Sequence, residues 1–105
     1  MRYVEEAEWI LRRLESKGAT EFEFRNEDGD AWEGIEDCAY QVCNHEMGWV
    51  RFNDPVFKRM RAVFFVAGNS TGEIVSDYTI RMDDNDEEDI IKKTVDEFWA
   101  EVVEG

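Results

Sequence analysis

The run Thr20-Glu21-Phe22-Glu23-Phe24-Arg25, continuing into Asn26-Glu27-Asp28-Gly29-Asp30, decides the fold class. Phe22 and Phe24 alternate with Glu21, Glu23 and Arg25, the period-two signature of a strand buried on one face only. The five residues that follow have turn composition, and the Asn and Asp side chains among them are also good helix caps. On both sides of this strand the period changes to that of a helix. Before it, Tyr3, Val4, Ala7, Ile10, Leu11 and Leu14 form one stripe, with Gly18 placed to stop the helix. After it, Ala31, Trp32, Ile35, Cys38, Ala39 and Val42 share a face, which predicts a helix from Ala31 to about Asn44; Gly34 weakens that expectation.

Three further strands are expected downstream: Trp49 to Asn53, the doubly apolar Ala62 to Ala67, and Ile74 to Arg81. Gly68 to Gly72 would join the last two as a hairpin loop. Asp84 with Glu87 resembles a capping box opening a final helix, from about Glu87 to Val103, that buries Ile91, Thr94, Val95, Phe98 and Val102. Trp99, at the edge of that stripe, is expected in the core. The order helix, strand, helix, three strands, helix predicts an α+β fold, with an antiparallel sheet of about four strands packed against helices. With 105 residues and no interior boundary, the whole chain reads as a single domain.

Composition narrows the function classes. Asp and Glu number 26 against 12 Lys and Arg, a formal charge of -14. That excess leans toward disorder, but a 43% hydrophobic fraction rich in Phe, Trp and Tyr supplies a core. The acid is segregated. Glu27, Asp28, Asp30, Glu33, Glu36, Asp37 and Glu46 occur without one Lys or Arg among them, and Asp83 to Gly105 carries a net charge of -8. Arg51 to Arg61 is the opposite, at +3. Negative charge of this density repels phosphates, so direct nucleic-acid binding is not expected. No apolar run is long enough for a membrane helix.

Catalytic and metal motifs fail on spacing. Cys38, Cys43 and His45 form C-x4-C-x-H, which is no zinc pattern, and the two cysteines read as small buried hydrophobes. His45 reads as a helix-terminal cap. Registered as a calcium loop, Asn26-Asp28-Asp30 would put Ala31 where glycine is needed and Asp37 where glutamate is needed. Gly68-x-x-x-Gly72 lacks the Lys and Ser/Thr of a phosphate loop. A cleft between sheet and helices could draw only on Tyr40, His45, Asp77 and Tyr78. No enzyme activity, cofactor or metal is expected, and two unpaired cysteines suit a reducing cytoplasm.

The remaining signal is charge in rows. Glu33 with Glu36 and Asp37, and Glu97 with Glu101 and Glu104, have helical spacing, which places their Cβ atoms about 5–6 Å apart. Such a row, extended by Asp83, Asp84 and Asp86, could occupy a basic groove built for the phosphates of duplex DNA. Trp9, opposite the apolar stripe of its helix and among Glu5, Glu6, Glu8, Arg12 and Arg13, is the expected apolar anchor. The expected function is non-enzymatic: an inhibitor or regulator that covers a basic, nucleic-acid-binding protein surface by DNA-like charge mimicry. In size and charge, though in no motif, the chain resembles the small anti-restriction and anti-CRISPR proteins of phages. That resemblance implies work in a host cytoplasm. The competing expectation is an interaction module, an antidote, adaptor or dimeric accessory protein, whose acid only solubilises it. A homodimer contact through Trp9 would serve that reading.

Overall fold

The computed structural model describes residues 3–66 and 89–104. Helix α1 (Tyr3–Ser16) leads into strand β1 (Thr20–Arg25), strand β2 (Ala31–Glu33), helix α2 (Ile35–Asn44), strands β3 (Met47–Asp54) and β4 (Arg59–Val66), and helix α3 (Ile90–Phe98). A π-helical turn, Trp99–Val103, continues α3. The strands form one antiparallel sheet in the order β2-β1-β3-β4. The α+β class, with a four-stranded antiparallel sheet packed against helices, is as the periodicity predicts. The expected strand at Ile74 to Arg81, the Gly68 to Gly72 loop and the Asp84/Glu87 capping box lie outside the described residues.

The core is built from the stripes already identified. Ala7, Ile10, Leu11 and Leu14 of α1 are buried with Phe22 and Phe24 of β1, Cys38, Ala39 and Val42 of α2, and Phe98 of α3. α2 lies against the sheet, and α1 packs on α2 and α3. Gly18 ends α1 at φ +103, where its N–H and that of Ala19 donate to the carbonyls of Glu15 and Leu14. β3 and β4 run in unbroken register from Met47↔Val66 to Asp54↔Arg59, bringing Val50 opposite Val63.

Residues 31 to 33 depart from expectation. They form a strand rather than the first turn of a helix, and Trp32 pairs with Phe24 across the ladder, their rings 5.7 Å apart. Two local features cause this. The Asp30 N–H donates to the Asn26 side chain at 2.8 Å and the Asn26 N–H to the Asp30 carbonyl at 3.0 Å, which closes a hairpin. Gly34 then sits at φ 92, ψ 152, a backbone region open essentially only to glycine and incompatible with a helix. α2 therefore starts at Ile35, and Ala31 is exposed instead of sharing its buried face.

A buried ionic cluster joins the β3–β4 hairpin to α3. The Arg61 guanidinium donates to Asp54 at 2.8 Å and to both carboxylate oxygens of Asp89 at 2.8 and 2.9 Å. Each carboxylate also closes local backbone. Asp54 accepts from the N–H groups of Val56 and Phe57, and Asp89 caps α3 by accepting from Ile91 and Lys92. Arg61 further stacks over Phe57, 4.6 Å from the ring centre. The net +3 of Arg51 to Arg61 is thus not an exposed basic patch throughout, because Arg61 lies in the interior.

Candidate functional site

The acidic rows do not survive equally. Glu97 and Glu101 of the last helix are clamped by α1. Arg13 grips Glu101 with two hydrogen bonds, at 2.8 and 3.1 Å, and reaches Glu97 at 3.1 Å; Lys17 also bonds Glu97. Hydrogen bonding to Lys17, then Arg13, holds the Glu97 carboxyl below the usual carboxylate range, and Arg13 does the same for Glu101. This corrects the expectation of a free Glu97/Glu101/Glu104 row: two of its three carboxylates serve an internal helix–helix contact, and Glu104 alone is exposed without a described cation. Asp83, Asp84 and Asp86 lie outside the described residues.

Trp9 is likewise no free anchor. It is half-buried, its ring meeting Phe98 edge to face at 5.3 Å while the Arg13 guanidinium lies 4.4 Å above it. The physical reason is α3. A face that is outward on an isolated α1 is covered once α3 packs beside it. Trp99 shifts the other way. The bonding changes to i→i+5 at this residue, with the Glu104 N–H donating to the Trp99 carbonyl, so Val102 and Val103 pack on the core and Trp99 is 40% exposed.

The expected helical spacing of Glu33 with Glu36 and Asp37 fails, because Glu33 lies on β2 and the Gly34 backbone breaks the helix before Ile35; the carboxylates that remain run along the β2 edge and onto α2. Glu27, Asp28 and Asp30 sit at the hairpin tip, Glu33 on β2, and Glu36 and Asp37 in the first turn of α2; all are exposed, and among the described residues none is ion-paired. Two carboxylates in the first turn suit the positive end of the helix dipole, which stabilises them there without a counter-cation. Tyr40 stands on the same face, three and four residues beyond Asp37 and Glu36, and is 58% exposed. Sequence reading missed it as an anchor. The signal was present, since Tyr40 falls off the Ile35/Cys38/Ala39/Val42 stripe and beside the acid.

Around the corner the charges are paired. Between Thr20 and Glu23 the β1–β3 register slips by a bulge, with Glu21 at φ +59 and its carboxylate bonded to Asn53 at 3.0 Å. A groove of about 700 Å³ opens there. Glu23 is held by Arg51, which lowers its pKa, and Arg12 by Glu8 and Glu15, while Glu21 and Glu33 also line the groove and leave it acidic. Cys38 and Cys43 are free thiols, each pushed up to about 11 mainly by burial, which leaves them poor nucleophiles. His45 donates through Nδ1 to the Gln41 carbonyl at 2.7 Å and closes α2, the capping role expected of it. Among the described residues no three His, Cys, Asp or Glu side chains are placed to share a metal ion, and no helix is long and apolar enough to cross a membrane.

No protein-family model, curated protein or solved structure matches the chain, which leaves its own chemistry to indicate function.

Proposed function

We propose that this protein is a non-enzymatic acidic binding protein that covers a basic, nucleic-acid-binding surface of a partner by DNA-like charge mimicry, using the β2–α2 edge. One observation carries the reading: the carboxylates from Glu27 to Asp37 line one edge with no described ion-pair partner, and an exposed tyrosine stands among them. Other carboxylates of the described structure, Glu23, Glu97 and Glu101 among them, are paired with nearby Arg and Lys. The contrast supports a role for the unpaired edge outside the molecule. Rim charge of this kind accelerates encounter with an opposite surface and is screened by salt, while a central aromatic supplies short-range contact.

Capture of binding proteins at low and high salt, with duplex DNA as competitor for the captured protein, tests this. Binding should weaken steeply with salt, DNA should displace the acidic protein, and E33Q/E36Q/D37N should slow association by roughly tenfold or more at low salt. A captured partner that DNA leaves in place refutes mimicry. The Arg13/Lys17 clamp gives support to a second reading, an interaction module whose acid is partly structural; it predicts salt-insensitive binding that depends on Tyr40 and not on the α2 carboxylates.

A further inference from the structure

At the hairpin end of the sheet, beside the carboxyl end of α2, a cavity of about 530 Å³ is walled by the rings of His45, Trp49 and Phe64 over the buried Phe24 and bordered by Glu27 and Asp28. The walls are fixed by packing. Trp49 and Phe64 are directly opposite in the β3–β4 ladder, their ring centres 4.8 Å apart. Phe24 meets His45 edge to face at 5.3 Å, and His45 is anchored in turn by its bond to Gln41. Gly48 makes room for this arrangement, because a Cβ there would lie 2.5 Å from Cε2 of Phe24. The turn that carries Glu27 and Asp28 is pinned by the Asn26–Asp30 bonds.

Aromatic faces present negative potential, and two carboxylates without a described ion-pair partner border the cavity. One cation, Arg25, also lines the cavity, 3.5 Å from Glu23, so the lining carries two carboxylates against one partly offset cation. This combination repels phosphate and favours a cation with a planar or apolar body. A guanidinium suits it better than an ammonium, being more weakly hydrated and able to stack on rings while bonding carboxylates through its edge. We propose that this cavity receives an arginine side chain of the basic partner, at the hairpin end of the acidic edge, giving specificity where the rest of the edge gives attraction. The inference rests on the proposed function only for the source of that arginine.

The pocket can be tested without the partner. Nα-acetyl-arginine amide, titrated into the whole protein, should shift the Trp49 indole and Phe64 ring resonances, whereas the uncharged, near-isosteric Nα-acetyl-citrulline amide should not. E27Q/D28N, confined to an exposed turn, should weaken the arginine response by about threefold, and Trp49→Leu should reduce it further. Absence of any shift up to the solubility of the probe, or equal shifts from citrulline, overturns the proposal. If arginine binds as expected but DNA fails to displace the acidic protein from its captured partner, the pocket stands and charge mimicry fails.

Discussion

Replacing Arg61 with methionine should lower the free energy of unfolding by about 3–5 kcal/mol, because removing one member of a buried ion cluster leaves the others charged and uncompensated. Here the orphans would be Asp54, whose side chain is 0% exposed, and Asp89, at 8%. Backbone donors still serve both carboxylates, Val56 and Phe57 for one and Ile91 and Lys92 for the other, which places the expected cost near the lower end of that range. Against a total of about 5–15 kcal/mol for an ordinary domain, the loss is large. Asp89→Asn separates charge from capping, since asparagine caps nearly as well as aspartate; Asp89→Ala removes both and should cost about 1 kcal/mol more than Asp89→Asn. The combination R61M/D54N/D89N should recover part of the R61M deficit, having no buried charge to strand. Urea unfolding followed by tryptophan fluorescence measures all four variants. An R61M protein within about 1 kcal/mol of the parent, or a triple variant no better than R61M, would refute the account of the cluster as a buried, mutually dependent tie between the hairpin and α3.

Three other outcomes are expected. Gly48→Ala should destabilise by about 1–3 kcal/mol, since its methyl group must displace the Phe24 ring that lies 2.5 Å away, and thermal unfolding would register this as a clear fall in Tm. Trp9→Ala should cost about 2 kcal/mol by opening the α1–α3 contact, yet leave partner binding unchanged once the fold is intact; a binding defect in a variant of undiminished stability would restore Trp9 as an anchor. Glu97 and Glu101 have folded-state pKa values lowered by Lys17 and Arg13, so their contribution is complete above the ordinary carboxylate value of about 4.3 and is lost as pH falls through the lowered values. Arg13→Met should flatten the stability profile in that acid range, and 1 M salt should do much the same; an unchanged profile would show that the clamp is not stabilising.

Much of the architecture was legible because it depends on local periodicity. The alternation around Phe22 and Phe24 sets a one-sided strand, and the stripes through Leu14 and Val42 set amphipathic helices, whatever lies beside them. The 31–33 segment shows the limit. Trp32 and Ile35 fit a helical stripe, but they also fit a strand whose tryptophan covers Phe24, and only closure of the hairpin with the Gly34 backbone chooses between them. The candidate site divides in the same way. The purity of the acid from Glu27 to Asp37 is a property of the chain and could be counted; whether a given carboxylate is free is a property of its neighbours in space.

The amino-acid order alone determined which faces are apolar, how much negative charge the molecule carries, and that its cysteines and histidine lack the spacing of a metal site. Tertiary structure decided the pairing of groups far apart in sequence. Arg13 and Lys17 reach Glu97 and Glu101, Arg61 joins Asp54 to Asp89, and Phe98 takes up Trp9. Those contacts act over a few ångströms between residues tens of positions apart, and side-chain periodicity carries no information about them. That is why Glu97 and Glu101, which read as part of a free row, are paired with Arg13 and Lys17, while the carboxylates at the sheet edge, with Tyr40 beside them, face outward.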